Sequence, residues 1–355
     1  MASLEEFLAE WNNDSPYVEV KTSGSTGEPK RMLVEKQRML NSAKITCDFL
    51  GLKPGDTALL CMSLDYIAGK MMVVRSIERG LRLIAVEASG HPLKEPLIRP
   101  PLDPPTLGGE SNGGCTPTLG GENSGGCPPA LGWEKITFAA MVPMQVFNSL
   151  QVPEEKERLM QIKHLIIGGG AVDNAMENEL RKFPNAVWST YGMTETLSHI
   201  ALRRISGPDA SDWYTPFASV EIGQTEDDCL IINAPEVCAE TLVTNDIVDI
   251  KGNHFRILGR KDNVICSGGI KIQIEEIERE LKPYVRVPYI ISKRKDEKFG
   301  EVVVLLTEGS ADEAKSICEK YLPKYHIPKV YLHVDKIPFT ETGKPARKEA
   351  EVIAR

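Results

Sequence analysis

The sequence predicts a two-domain α/β protein: residues 1–261 form a large α/β domain with a small β subdomain, and residues 262–355 a small α+β C-terminal domain. Three observations lead there. At 355 residues the chain exceeds the length at which a single core usually stops growing. Its first 200 residues alternate apolar, strand-like runs with amphipathic helical stretches. A fresh strand–helix series then begins near Asp262, after a block of short, turn-broken β runs.

The opening "MASLEEFLAEWNNDS" places Leu4, Phe7, Leu8 and Trp11 at helical spacing, which reads as a docked surface helix. It is acidic and lacks a basic segment before an apolar one, so no secretory signal is expected there. The strand candidates "TALLCMSL", "LRLIAVEA", "ITFAAMVP", "IKHLIIGGG" and "NAVWSTYG" follow, separated by helical stretches such as 66–79 and 144–161. Residues 217–258 contain "SVEIGQ", "DCLIINAP", "ETLVTNDIVDIKG" and "HFRILGR", the expected β subdomain. The C-terminal set is "NVICSGGIKI", a helix at 273–282, "VPYIISKR", "GEVVVLLTE", a helix at 311–322 and "KVYLHVD". Residues 96–132 fit no element: "TLGGESNGGCTP" and "TLGGENSGGCPP" repeat with a period of 12, and the segment holds eight Pro and nine Gly. With one Leu per unit there is no apolar face to stack, so a disordered insertion in a surface loop is expected.

Composition narrows the function classes. An apolar fraction of 41% and a charged fraction of 26% are ordinary for a globular protein, and no run of 18 apolar residues suggests a membrane span. A net charge of −8 without a broad basic stripe argues against nucleic acid. Residues 263–355 carry 17 Lys and Arg against 15 Asp and Glu, about +2, leaving about −10 for the rest. The eight cysteines show no metal-ligand spacing and read as reduced thiols of a cytoplasmic protein.

Chemistry concentrates in five stretches. "KTSGSTGEPKR" (21–31) lacks side-chain bulk, so backbone N–H groups can converge on an anion, with hydroxyls from Thr22, Ser23, Ser25 and Thr26, glycines at Gly24 and Gly27, and a charge at Lys30. It is not a Walker A sequence, and by itself it fits a surface turn as well as a phosphate cradle. "STYGMTETLSHIAL" (189–202) sets a Tyr-Gly turn before Thr194 and Glu195, a carboxylate able to hold a hard divalent cation. "TNDIVDI" supplies Asp246, suited to both hydroxyls of a ribose; "LGRKDNVICSGGIKI" supplies Arg260 and two glycines; "IPFTETGKPARKE" presents Lys344 on a Gly-flanked loop. Taken singly, Glu195 and Asp246 read as helix or turn caps and Lys344 as a solvated charge.

The order and identity of all five resemble the adenylate-forming superfamily of acyl-CoA synthetases, adenylation domains and luciferases, from about residue 18 to the end, excluding the repeat. The resemblance implies an adenylate-forming fold whose large domain is truncated, because only about 20 residues precede the phosphate loop. It implies a reaction in which a carboxylate attacks the α-phosphorus of ATP and a thiol, commonly coenzyme A, then displaces AMP. Thr22–Lys30 would cradle the β- and γ-phosphates; Gly168, Gly169, Gly170, Tyr191, Gly192 and Met193 would shape the adenine slot; Thr194 would touch the α-phosphate and Glu195 hold Mg²⁺. Asp246 and Arg260 would bind ribose, Asp262 would be the hinge, Gly268 and Gly269 would face the thiol, and Lys344 would bridge the attacking carboxylate and the α-phosphate.

For the acid, Tyr66, Met141, Met144 and Met193 suggest a pocket for a flat aromatic or aliphatic body, with Lys70, Ser198 and His199 as candidates for a second polar end. "YGMTETLSHIAL" with "DYIAGK" most resembles the 2-succinylbenzoate–CoA ligases of menaquinone biosynthesis, although many of those carry His where Tyr66 stands. A CoA ligase for another aromatic acid, an enzyme loading a carrier protein, and a non-catalytic nucleotide sensor are the alternatives; the sensor is disfavoured because both Lys344 and Glu195 are present. A homodimer is the default for such an enzyme.

Overall fold

The computed structural model describes residues 2–21, 31–94, 135–339 and 345–355, in two compact units. The phosphate loop Thr22–Lys30, the repeat at 96–132 and Lys344 lie outside the described residues.

The first unit holds most of the chain to Val220 and returns for Ala234–Ala239. Helix α1 (Leu4–Asn12) is started by a capping box: the Ser3 hydroxyl accepts from Glu6 N, and the Glu6 carboxylate accepts from Ser3 N. It buries Phe7 and Trp11, as the spacing predicts. A hairpin of β1 (Tyr17–Lys21) and β2 (Arg31–Glu35) leads into α2 (Lys36–Leu50), which Gly51 ends in a left-handed C-cap. Then come β3 (Thr57–Leu60), α3 (Ile67–Arg79), β4 (Arg82–Ala85), β5 (Phe138–Met141), α4 (Pro143–Gln151), α5 (Pro153–Gln161), β6 (His164–Ile167), α6 (Asn174–Leu180), β7 (Ala186–Gly192), β8 (His199–Arg204) and the short β9 (Thr215–Pro216). The single helix expected over 144–161 is two, because Pro153 forces Val152 into an extended conformation.

These strands form one sheet in the order β4-β3-β5-β6-β7-β8-β9. β4 through β7 are parallel, and β8 and β9 run antiparallel at one edge. "TALL" and "FAAM" are buried along their whole length, the signature of parallel strands covered by helices on both faces. From β3 the chain moves outward to β4, then crosses back to β5 on the opposite side. The connections therefore diverge at the carboxyl ends of β3 and β5, where open α/β sheets hold ligands.

The second unit starts with an antiparallel sheet of β10 (Glu221–Gln224), β11 (Cys229–Asn233), β12 (Leu242–Lys251) and β13 (His254–Arg260). A short 3-10 turn (Lys261–Asn263) leads to β14 (Val264–Ser267), β15 (Ile270–Gln273), α7 (Ile274–Leu281), β16 (Tyr289–Asp296), β17 (Gly300–Thr307), α8 (Ala311–Tyr321), β18 (Val330–His333) and α9 (Arg347–Ala354). The mostly antiparallel sheet β15-β14-β17-β16, with β18 parallel to β17, is apolar on both faces: α7 and α8 cover one, α9 the other. The compact units divide near Val220 rather than near Asp262, so the β subdomain belongs with the C-terminal module.

Cys47 and Cys61 are buried with their thiols pushed up to about 12, and Cys318 to about 11, mainly by loss of water; these are inert core thiols, as their apolar surroundings suggest. Among the described residues no helix is long and apolar enough to cross a membrane, and no cluster of His, Cys, Asp or Glu has metal-ligating geometry.

Candidate functional site

Two groups of predicted residues assemble, one in each unit. In the first unit they stand at the carboxyl edge of the parallel strands. Gly168 follows β6 and Gly192 ends β7, neighbouring strands in the sheet. A Cβ on Gly192 would lie 2.2 Å from the Ser198 carbonyl oxygen, so that position requires glycine; one on Gly168 would lie 2.4 Å from Thr190 Oγ1 and would oblige that hydroxyl to turn away. Gly169 and Gly170 continue outward and are exposed, Gly169 with φ of 80°. Tyr191 is buried, its ring 5.9 Å from that of Tyr214.

Residues 193–198 make a tight turn organised by the Thr196 hydroxyl, which accepts from Met193 N and lies 2.7 Å from the Ser198 carbonyl oxygen. Leu197 is held at φ 64°, a left-handed conformation costing a non-glycine residue about 1–2 kcal/mol. The turn leaves Glu195 exposed and Thr194 half-buried, and brings Ser198 back beneath it.

Ser198 and His199 are joined by two residues not singled out in the sequence, Arg75 of α3 and Thr46 of α2. Arg75 Nη2 donates to Ser198 Oγ (2.6 Å); Ser198 Oγ lies 3.2 Å from His199 Nδ1, and His199 Nε2 lies 3.2 Å from Thr46 Oγ1. Thr46 spends its own proton on the Ser42 carbonyl, so His199 Nε2 must donate to it and Nδ1 must accept from Ser198. The imidazole is thus neutral, and burial, followed by the Arg75 charge, holds its pKa well below the usual histidine range.

Arg75 is the anomaly. It is 2% exposed, its other named contact is the Met72 sulfur at 3.9 Å, and its Nε has no acceptor. No carboxylate pairs with it among the described residues, and burial lowers its pKa to about 10. A buried cation without an anion is costly unless a ligand supplies the charge. The one sequence signal was a charge inside the apolar run "MMVVRSI".

Other predicted acid-pocket residues are engaged elsewhere. Lys70 is neither solvated nor available: it is 6% exposed, donates to Glu10 Oε2 (2.9 Å) and the Glu19 carbonyl (2.7 Å), and lies over the Phe7 ring. It ties α1 and β1 to α3 and is therefore corrected to a structural residue. Met141 is a core residue, packed with Leu59, Cys61 and Ile167, and Met144 is 57% exposed on α4. Tyr66, half-buried, is the N-cap of α3.

In the second unit Asp246 and Arg260 are direct cross-strand partners on β12 and β13, and Arg260 Nη1 donates to Asp246 Oδ1 at 3.0 Å. Arg260 Nη2 also reaches Asp262 (3.2 Å), whose two oxygens accept from the Asn245 amide. Strand register and the 3-10 turn thus gather Asp246, Arg260, Asp262 and Asn245 into one charged cluster. Gly268 and Gly269, with φ of 58° and 85°, form the turn between β14 and β15, separate from that cluster.

Similar proteins share this plan. The acyl-CoA synthetase (AMP-forming)/AMP-acid ligase II-like protein from Dyadobacter fermentans is 29% identical, with a TM-score of 0.60, over 98% of this chain and 92% of that one. The o-succinylbenzoate coenzyme A synthetase from Bacillus subtilis, in complex with ATP and magnesium ion, is 21% identical with a TM-score of 0.69, over 93% of this chain and 69% of that one. The fold is that of the adenylate-forming superfamily.

The 2-succinylbenzoate–CoA ligase of Listeria monocytogenes is 24% identical over 371 residues, covering 96% of this chain and 71% of that ligase. No family model matches the chain. The buried Arg75–Ser198–His199–Thr46 chain was not expected from the resemblance.

Proposed function

We propose that this chain is an AMP-forming acid–thiol ligase that converts a carboxylic acid to its acyl-adenylate and then to a coenzyme A thioester, with 2-succinylbenzoate the favoured acid. One acid oxygen attacks the α-phosphorus of ATP while the bond to pyrophosphate breaks; the thiol, losing its proton, then attacks the acyl carbon and AMP leaves.

Arg75 carries the preference for a diacid. A buried guanidinium with an unfilled donor calls for an anionic or strongly polar group, and a substrate whose reacting carboxylate goes to phosphorus must bring a second one for it. Ser198, held by Arg75, and neutral His199 add a hydroxyl and an imidazole beside that end. The names of the similar Bacillus and Listeria enzymes favour the same acid.

The remaining roles follow the resemblance. Asp246 accepts the ribose hydroxyls with Arg260 steadying it, Gly168–Gly170 and Tyr191–Met193 line the adenine, and Thr194 contacts the α-phosphate. Exposed Glu195, an oxygen donor on a rigid turn, fits Mg²⁺, which would neutralise phosphate charge. Thr22–Lys30 grips the leaving pyrophosphate, and Lys344 offsets the charge of two anions brought together. Asp262 is the proposed pivot, with Gly268 and Gly269 toward the thiol.

Pyrophosphate release measured over a panel of acids, with coenzyme A present or omitted, tests this reading. We expect release with 2-succinylbenzoate, weak release with benzoate, and thioester only when coenzyme A is added. No release with any acid, or acyl transfer only to a carrier protein, would overturn it.

A further inference from the structure

Gln145 lies in the first turn of α4, immediately after the carboxyl end of β5, and is almost completely buried. Its side chain makes contacts to three separate segments. The Oε1 atom accepts from Val142 N at 3.2 Å, closing the start of α4. The Nε2 atom donates to the Cys61 carbonyl at 2.8 Å and to the Ser89 carbonyl at 2.9 Å. Cys61 directly follows β3, and Ser89 lies in the connection leaving β4. One amide therefore joins the carboxyl ends of three adjacent strands at the place where the chain reverses its winding.

Neighbouring residues extend the same seam. Asn148, one turn along α4, donates to the Gly90 carbonyl at 3.0 Å. Ser149 donates to the buried Glu155, which also contacts His91 Nδ1 at 2.9 Å. On the other side, Cys61 stands just ahead of the segment in which Tyr66 caps α3, and α3 carries Arg75. That helix start packs tightly: a Cβ on Gly69 would fall 2.2 Å from the Ser63 carbonyl oxygen. Cys61, the Ser63–Gly69 contact, Tyr66 and Arg75 thus lie along one continuous, closely packed stretch of chain.

We infer that Gln145 is a positioning residue for acid recognition: its amide fixes the crevice between β3 and β5 and thereby the placement of Tyr66 and Arg75. Among the described residues Gln145 is the side chain that pairs with both carbonyls, and a hydrophobic residue at this site would remove both bonds. Only an amide supplies one acceptor and two donors there. The inference rests on the proposed acid ligase activity; hydrogen exchange tests the structural placement by itself, and kinetics test its effect on the acid.

Two variants of the full chain separate positioning from simple helix capping. Gln145→Glu keeps the acceptor for Val142 but turns lone pairs toward Cys61 and Ser89; Gln145→Met removes all three bonds and serves if the first fails to fold. Amide hydrogen exchange should quicken at least tenfold at residues 61–66 and 86–94 in both, while 289–296 in the second unit stays as in wild type, and 142–146 should loosen in Gln145→Met only. Quickening confined to 142–148 would overturn the inference. With the acid that wild type uses best, Gln145→Glu should raise the acid KM at least tenfold and leave the ATP KM within twofold. Equal changes in both KM values, or a loss of kcat alone, would equally overturn it. A wild type that releases pyrophosphate with no acid refutes the proposed function, and hydrogen exchange still decides the role of Gln145.

Discussion

Replacing Arg75 with methionine should make the protein more stable and a worse enzyme. The guanidinium is entirely enclosed, with its pKa lowered from 12.5 to about 10, chiefly by loss of water. Each unit of such a shift corresponds to about 1.4 kcal/mol, so holding the charge there costs roughly 3 kcal/mol. Methionine returns that cost and forfeits the charge-assisted bond to Ser198, about 1.5–3 kcal/mol, for a net gain of about 1 kcal/mol and a Tm rise of about 1 °C. With substrate the sign reverses: losing a charge-assisted bond to the second carboxylate, about 1.5–3 kcal/mol, lowers kcat/KM for 2-succinylbenzoate about 10- to 150-fold. Activity toward benzoate, which lacks that carboxylate, should change little. Calorimetry and pyrophosphate release on the same preparation read both effects. A lower Tm with an unchanged preference between the two acids would refute the reasoning and make Arg75 a structural arginine.

His199 stays neutral in the fold while its unfolded counterpart protonates near pH 6.5, so stability should be full above that pH and fall below it, by at most about 1.4 kcal/mol per pH unit, and His199→Gln should flatten the denaturant midpoint against pH between 6.5 and 5. Asp246→Asn removes the charge that pairs with Arg260 and one of the two oxygens that would accept the ribose hydroxyls; the ATP KM should rise more than about tenfold, equivalent to 1.4 kcal/mol, with the acid KM unchanged in steady-state kinetics. Lys70→Met should cost about 1.5–3 kcal/mol in urea unfolding through the lost Glu10 and Glu19 bonds, yet leave the acid KM as it was. Lys344→Ala should abolish adenylate formation, while thioester formation from supplied acyl-adenylate survives in a two-step assay.

The division between what could be read along the chain and what needed the fold follows the range of the interactions involved. Strand candidates such as "TALL" and "FAAM" declare themselves because a buried parallel strand must be apolar at every position, a local requirement. Asp246 and Arg260 stand out along the chain because each sits in a short motif, but that they pair is a product of antiparallel register. The split of α4 from α5 was also written locally, in Pro153, although amphipathic spacing on either side disguised it. Which side chains meet across the sheet was not legible. Lys70 read as a candidate for the acid's second polar end until Glu10, 60 residues earlier in sequence, came to lie against it. Arg75 looked like part of a core helix until burial removed its water and folding brought Ser198, 123 residues away, to its guanidinium. Gln145 gained its meaning only where three strand ends converge. Periodicity and motifs record what each residue needs from its immediate neighbours; charge pairing and burial depend on distant segments sharing one low-dielectric space, and only the packed chain creates that space.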